Sequence, residues 1–490
     1  MKSFRSLIKS GFIILSGMII GTSFAKEVQS VIPLHPSKLK YDSLNWTVPL
    51  GQPFRDSLKN GMVLYLAEDQ KLPLVRMTGY IRSGDLADPA GKEGLYYLLT
   101  TLMRSGGTLK FPSDTLNELI DLFAMKFNFS AGNDNITFSG SFLTEYTDQA
   151  LDIFEQMLFH PAFEEKKLRK EKNIAAERIK HRFDNPGPTL KAAYKKQMYQ
   201  GQVNSKFETI TSINNVTRED LIAVHKKIVS PGNIILSIAG KFASDTMRSK
   251  INNIFSKDSL TFNKVILPDV KINADTQNII IQKPVSQAYV RLGLPLFKRP
   301  NPDYYAISLL NEILGGGGFT SRLGAKIRSD AGLTYSIYSV AESNYTYPGT
   351  FYIDFFTKNE SFAEAVALTL EEVRRIVKEG VTKEELANAK SSLLGDLPSM
   401  FRSPFDIVST YAWNEFYGRD QLHYRNYAAA LNKITAEDIL RVANTYLTAD
   451  KFTYTVVGDT TKLLNQESHG FSLKNYRYRV LPADSIVTLP

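Results

Sequence analysis

The sequence predicts an α+β fold built from two homologous halves. Three observations carry that prediction: 490 residues with 43% hydrophobic content, a spaced internal repeat, and apolar patterns that alternate between period two and period 3.6. A single core stops growing near about 250–300 residues, so a chain of this length divides. In the repeat, Val216-Thr217-Arg218-Glu219-Asp220-Leu221 runs on to Gly240, and Ile434-Thr435-Ala436-Glu437-Asp438-Ile439 runs on to Gly458. Thr217 to Gly240 and Thr435 to Gly458 have the same spacing, and each stretch reads as capped helix, turn, strand and glycine turn.

Taken in chain order, Lys2, Arg5 and Lys9 precede an apolar run from Gly11 to Ile20 and then Ser23-Phe24-Ala25, the pattern of a cleaved signal peptide over residues 1–25. The run is shorter than the ~20 residues a spanning helix needs, so export without stable membrane insertion is expected, to the periplasm or the medium. Met62 to Leu66 reads as a strand, and Ile136, Phe138, Gly140 and Phe142 share one face at period two. Phe351, Ile353 and Phe355 do the same. Helical stripes follow from Leu95, Leu98, Leu99 and Leu102, from Ala150, Ile153, Phe154 and Met157, and from Ile307, Leu310, Ile313 and Leu314. The helix from Phe362 ends at Gly380, and Thr382-Lys383-Glu384-Glu385 offers a capping box to the next. These signals divide the chain into a first domain over 26–256, a linker over 257–275, a second domain over 276–465 and a tail over 466–490.

Composition narrows the chemistry. With no cysteine there is no disulfide framework, thiolate metal site or lipid-modified cysteine. Loss of residues 1–25 lowers the formal charge from +9 to +6, which reads as a solvated surface; a nucleic-acid partner is not expected.

The stretch from Leu72-Pro73-Leu74-Val75 through Ser83-Gly84, Asp88-Pro89 and Gly94-Leu95 to Gly106-Gly107-Thr108 resembles the amino-terminal region of the pitrilysin/insulinase family of zinc peptidases. That resemblance implies insulinase-like α/β sandwich domains, similar to processing peptidases, that form a clam shell. In the family the helix opened by Gly-Leu carries H-x-x-E-H: two imidazoles one turn apart hold zinc, and the glutamate activates the metal-bound water. The matching positions here are Tyr97, Thr100 and Thr101, none suited to those tasks. The family's third ligand, a glutamate, falls on Glu177 or on Arg178. The six histidines, His35, His160, His181, His225, His423 and His469, include no pair at i, i+3 or i, i+4, so no metal is expected in this chain.

The run from Leu314 through Gly315, Gly316, Gly317, Gly318, Phe319, Thr320, Ser321 and Arg322, followed by Ile327-Arg328-Ser329-Asp330-Ala331-Gly332-Leu333-Thr334-Tyr335, looks like the family's carboxy-terminal signature. The four glycines read as a flexible turn after a helix ending at Leu314, open to an extended peptide; no Lys-Ser/Thr follows to make a phosphate loop. The resemblance implies that Arg328 and Tyr335 face the zinc from the opposite half of the clam and donate hydrogen bonds to bound peptide and oxyanion. In the branch similar to mitochondrial processing peptidase, one chain supplies H-x-x-E-H and its partner lacks it. The expectation is therefore a non-catalytic, substrate-binding subunit of a heterodimeric zinc endopeptidase. Zinc would reside in the partner, and peptides or unfolded segments would be the substrate. The alternative is a stand-alone peptide-binding or structural protein on the same fold.

Overall fold

The computed structural model describes residues 35, 38–39, 46–255, 265–273 and 277–489. The expected leader lies outside them, as do residues 257–264 and 274–275 of the expected linker; its residues 265–273 carry neither helix nor strand. Residues Thr47–Pro490 form one compact unit, counted apart from Met1–Trp46. Among the described residues no helix is long and apolar enough to cross a membrane.

The first half comprises β1 (Arg55–Ser57), β2 (Val63–Glu68), β3 (Leu74–Ile81), α1 (Leu95–Ser105), α2 (Ser113–Leu122), β4 (Lys126–Ala131), β5 (Ile136–Leu143), α3 (Thr147–Phe159), α4 (Glu165–Lys180), α5 (Pro186–Met198), α6 (Ile210–Asn215), α7 (Arg218–Ile228), β6 (Ile234–Gly240) and α8 (Ser244–Phe255). The second comprises β7 (Asn278–Gln282), β8 (Gln287–Pro295), α9 (Tyr304–Asn311), β9 (Ile337–Ala341), β10 (Thr350–Lys358), α10 (Phe362–Glu379), α11 (Lys383–Asp396), α12 (Pro404–Phe416), α13 (His423–Lys433), α14 (Ala436–Tyr446) and β11 (Thr453–Gly458), and the tail adds β12 (Tyr478–Pro482).

The two sheets run β1-β2-β6-β3-β5-β4 and β12-β7-β11-β8-β10-β9, so five strands of each match one for one, parallel and antiparallel pairings included. The duplication read from the sequence is thus a duplication of sheets. Thr217 and Thr435 both close capping boxes, with Asp220 and Asp438, and the helices they open lead into the matching strands β6 and β11. Only the outer edge differs, because β1 lies antiparallel to β2 whereas β12 lies parallel to β7. The tail therefore completes the second sheet.

Each sheet packs one face on its own helices, and the apolar stripes expected on α1, α3 and α9 all lie in these cores. The opposite faces are covered by exchange. Helix α12 of the second half lies on β6, β2 and β3, where Tyr80 meets Trp413 and Phe416 with ring centroids 4.8 and 5.8 Å apart. Helix α5 of the first half lies on β11, β8 and β7, where Leu190 and Ala193 pack with Ile279, Ile281 and Val457. Gly293 on β8 has no side chain because a Cβ there would lie 2.2 Å from the Tyr194 hydroxyl of α5. Polar bonds join the halves as well: Arg55 grips Glu415 with two N–H donors at 2.8 and 2.6 Å, and Gln197 donates to the Gln277 carbonyl at 2.6 Å.

Candidate functional site

Helix α1 begins at Gly94, whose φ of +95° suits glycine and which brings no capping side chain. The cap comes from upstream: the Asp88 carboxylate accepts the N–H groups of Gly94 at 2.8 Å and Tyr96 at 3.1 Å. Burial outweighs those bonds and pushes the Asp88 carboxyl up to about 7. On this helix Thr100 is buried and turns its hydroxyl back to the carbonyls of Tyr96 and Tyr97, at 3.0 and 3.1 Å. Thr101 is half-buried. Tyr97 lies with its ring 4.0 Å from the Arg178 guanidinium, which reaches over from α4.

That contact shows which of the two candidates left open by the sequence lies against Tyr97. Arg178, and not Glu177, faces Tyr97; it pairs with Glu208 at 3.1 Å, and Arg182 pairs with the same carboxylate at 2.9 Å. Glu177 points to solvent, and the Lys180 ammonium, at 2.6 Å, holds its carboxyl below the usual range. A phenol, two threonine hydroxyls and a guanidinium, which has donors and no acceptor, are not a zinc donor set, so the residues present do not fit the metal of the resembling family. Two of the six histidines are engaged elsewhere: His181 with Asp184 at 2.7 Å on the surface, and His225, buried, with the Leu158 carbonyl at 2.8 Å. Among the described residues no group of three or more histidine or carboxylate side chains is placed to hold a metal ion.

The second set of expected residues lies on the other half. Helix α9 does not end at Leu314, as the glycine run had suggested, but continues through a wide π-helical turn over Glu312–Gly316. Gly315 is buried against β9, where a Cβ would lie 2.5 Å from the Ser339 nitrogen, so its missing side chain serves packing. Gly316 and Gly318 are exposed, Gly317 is half-buried, and a Cβ at Gly318, whose φ is +61°, would meet open space. A second π-helical turn, Gly324–Asp330, carries Arg328. Wide turns of this kind are frequent at functional sites because they displace the backbone and re-aim side chains.

Arg328 stands between two exposed rings, its guanidinium 3.8 Å from the centroid of Phe319 and 4.8 Å from that of Tyr335. Phe319 is 63% exposed and Tyr335 76% exposed, two residues ahead of β9, so neither ring is there to fill a core. Neither the guanidinium nor the Tyr335 hydroxyl has a hydrogen-bond or ion-pair partner among the described residues; the guanidinium meets both rings at cation–π distance. Phe319 was missed by the sequence reading. The signal available was an aromatic immediately after four glycines, where no core needs one. Arg322 anchors the same segment to α11, binding Glu385 at 2.7 and 2.9 Å and pulling that carboxyl down to about 2. The structure brings Arg328 and Tyr335 together; Tyr97, Thr100 and Thr101 share α1 and make no contact with that pair.

With that geometry in view, comparison with known proteins is informative. Residues 64–209 match "Insulinase (Peptidase family M16)" and residues 215–393 match "Peptidase M16 inactive domain". A Bacillus subtilis protein named "Uncharacterized zinc protease YmxG" is 24% identical over 401 residues, covering 81% of this chain and 96% of its own length. The Helicobacter pylori "Non-peptidase homolog YmxG" is 23% identical, covering 81% and 91%. The solved structure of a peptidase M16 inactive domain from Pseudomonas fluorescens superposes with a TM-score of 0.73 at 24% identity, covering 82% of this chain and 97% of that one.

Proposed function

The chain belongs to the insulinase family of peptidases, M16, as a member of its inactive type, and from that premise we propose that it holds peptide substrates for a zinc endopeptidase partner outside the cytoplasm. The observation that carries the proposal is the Phe319–Arg328–Tyr335 stack on a chain whose own α1 has lost the donors for zinc. A core arginine would be satisfied internally, whereas Arg328 has no hydrogen-bond or ion-pair partner among the described residues and stands within cation–π distance of two rings. A fixed guanidinium with an adjacent phenol is suited to donating hydrogen bonds to a peptide carbonyl or to the oxyanion formed on hydrolysis. In this arrangement the partner, a homologue with H-x-x-E-H, supplies zinc, water and the glutamate base. This chain supplies Arg328 and Tyr335 across the interface, with the open backbone at Gly316 and Gly318 beside them. Export rests on the basic, apolar and small-residue order of residues 1–25.

The test is to purify this chain, an H-x-x-E-H homologue and their mixture, and to measure cleavage of unfolded peptides by each. Only the mixture should reach full activity, and Arg328→Ala or Tyr335→Phe should lower its rate by about 100–1000-fold, the range for loss of one oxyanion donor. A mixture no faster than the homologue alone would remove the partnership and leave the stand-alone peptide-binding or structural protein as the reading.

A further inference from the structure

On the first sheet Met77 of β3, Phe138 and Phe142 of β5, and Phe127 and Phe129 of β4 point into the core, so their neighbours along each strand project from the opposite face. The register sets those neighbours in rows across the three strands. Arg76, Ser141 and Lys126 form one row, and Thr78, Ser139 and Asn128 form the next. Helix α12 lies on β6, β2 and β3, and its Phe405 and Ser409 wall an open groove of about 590 Å³ over both rows. The Arg76 guanidinium is 3.9 Å from the Phe405 ring centroid. Neither it nor the Lys126 ammonium has a hydrogen-bond or ion-pair partner among the described residues, and no described carboxylate lines the groove.

The matching rows of the second sheet close on themselves. Ser237 pairs with Thr78 three residues before Gly240, and Thr455 pairs with Arg291 three residues before Gly458, so the row of Thr78, Ser139 and Asn128 corresponds to Arg291, Asp354 and Tyr338. There the Arg291 guanidinium donates to the Asp354 carboxylate, as does the Tyr338 hydroxyl at 3.2 Å. Arg76 and Ser141 correspond to Tyr289 and Phe356, two rings stacked with centroids 5.6 Å apart. Two cations in one row without a counter-charge thus set the first sheet apart.

We propose that this groove binds a sugar phosphate, with the phosphate between Arg76 and Lys126 above Ser141 and the sugar hydroxyls on Ser139 and Asn128. Adjacent strands lie about 4.8 Å apart, so the two cationic residues are rooted about 10 Å apart, and their long stems let both heads close on one group over the serine. A phosphate monoester carries about −1.5 to −2 charges at neutral pH, a closer match to two cations than a single carboxylate. A lone ion, no larger than a few waters of about 30 Å³ each, fills only a fraction of the groove, whose size lies within the ~300–1,000 Å³ of small-molecule sites. The second row, about 7 Å along the strands, offers hydroxyls and an amide, which partner hydroxyl groups rather than an apolar tail. The assignment uses neither a partner chain nor Arg328, so it stands or falls apart from the peptidase reading.

The experiment is calorimetry on the full chain with glucose 6-phosphate, inorganic phosphate, glucose and a tetraglutamate peptide. Glucose 6-phosphate should bind about 10-fold tighter than inorganic phosphate, and glucose should not bind over the same range. Arg76→Gln and Lys126→Gln should each weaken glucose 6-phosphate by about 10-fold or more, the loss of one charge-assisted hydrogen bond. Asn128→Ala should weaken glucose 6-phosphate by about 3-fold or more and leave inorganic phosphate unchanged. Glucose 6-phosphate bound no tighter than inorganic phosphate, tetraglutamate bound tighter than either, or undiminished affinity in Arg76→Gln would each overturn the proposal. The comparison of ligands uses the unaltered chain, so it decides the matter even if a variant does not fold.

Discussion

Arg178 brings a guanidinium to 4.0 Å from the Tyr97 ring, so the α4 position that lies against Tyr97 holds a cation of its own. Rebuilding the motif on α1 alone should therefore fail. The triple variant Tyr97→His, Thr100→Glu, Thr101→His is expected to stay sub-stoichiometric in zinc, since Arg178 repels the ion and leaves its third ligand missing. Adding Arg178→Glu should raise uptake to about one zinc per chain. Atomic absorption after dialysis reads both, and a triple variant that takes up a full equivalent would sink the account. The sequence made the loss on α1 legible, because residue type alone rules Tyr97, Thr100 and Thr101 out as ligands. It did not decide between Glu177 and Arg178. One residue's shift on a helix rotates a side chain by about 100°, and only the packing of α4 on α1 shows which of the two lies against Tyr97. Phe319 was hidden for a related reason: a solvent-facing aromatic has no periodicity to betray it.

At the scale of elements, what is encoded locally was read well. The boxes at Thr217, Thr382 and Thr435 each satisfy backbone N–H groups within three residues, so they form wherever the helix forms. The π-helical turns at Glu312–Gly316 and Gly324–Asp330 were not read, because widening a turn answers contacts from elsewhere, here Ser339 of β9 behind Gly315. The junction of α7 with α3 has a pH dependence of its own. His225, on α7, is desolvated enough to titrate at about 4, and its ring Nε2–H donates to the Leu158 carbonyl at 2.8 Å. Its folded value lies below the unfolded one near 6.5, so as pH falls through that window the unfolded chain gains a proton that the folded chain refuses. Between pH 7 and pH 5 this group should cost about 2 kcal/mol of stability. Urea unfolding at both pH values should show the native chain losing about that much more than His225→Gln; equal losses would refute the assignment.

Over the whole molecule, the exchange of α5 and α12 makes the halves depend on each other. Val408, Tyr411, Ala412 and Phe416 of α12 are each 4% exposed or less. Covering four such side chains contributes on the order of 5–10 kcal/mol, comparable with the net stability of a typical domain. Residues 47–255 expressed alone should accordingly give a species without a cooperative thermal transition, while co-expression with residues 265–490 should restore one. A first half that melts cooperatively by itself would contradict this. The sequence by itself determined the α+β class, the duplication, the capped helices and the residue types at Tyr97, Thr100, Thr101, Arg328 and Tyr335, all written in residue type and spacing along the chain. The tertiary structure decided what depends on contacts distant in the chain: the tail's strand at the sheet edge, the exchanged helices, Arg178 over Tyr97, and Arg328 between two rings. Periodicity reports that a face is buried, and only the folded chain shows what lies against it.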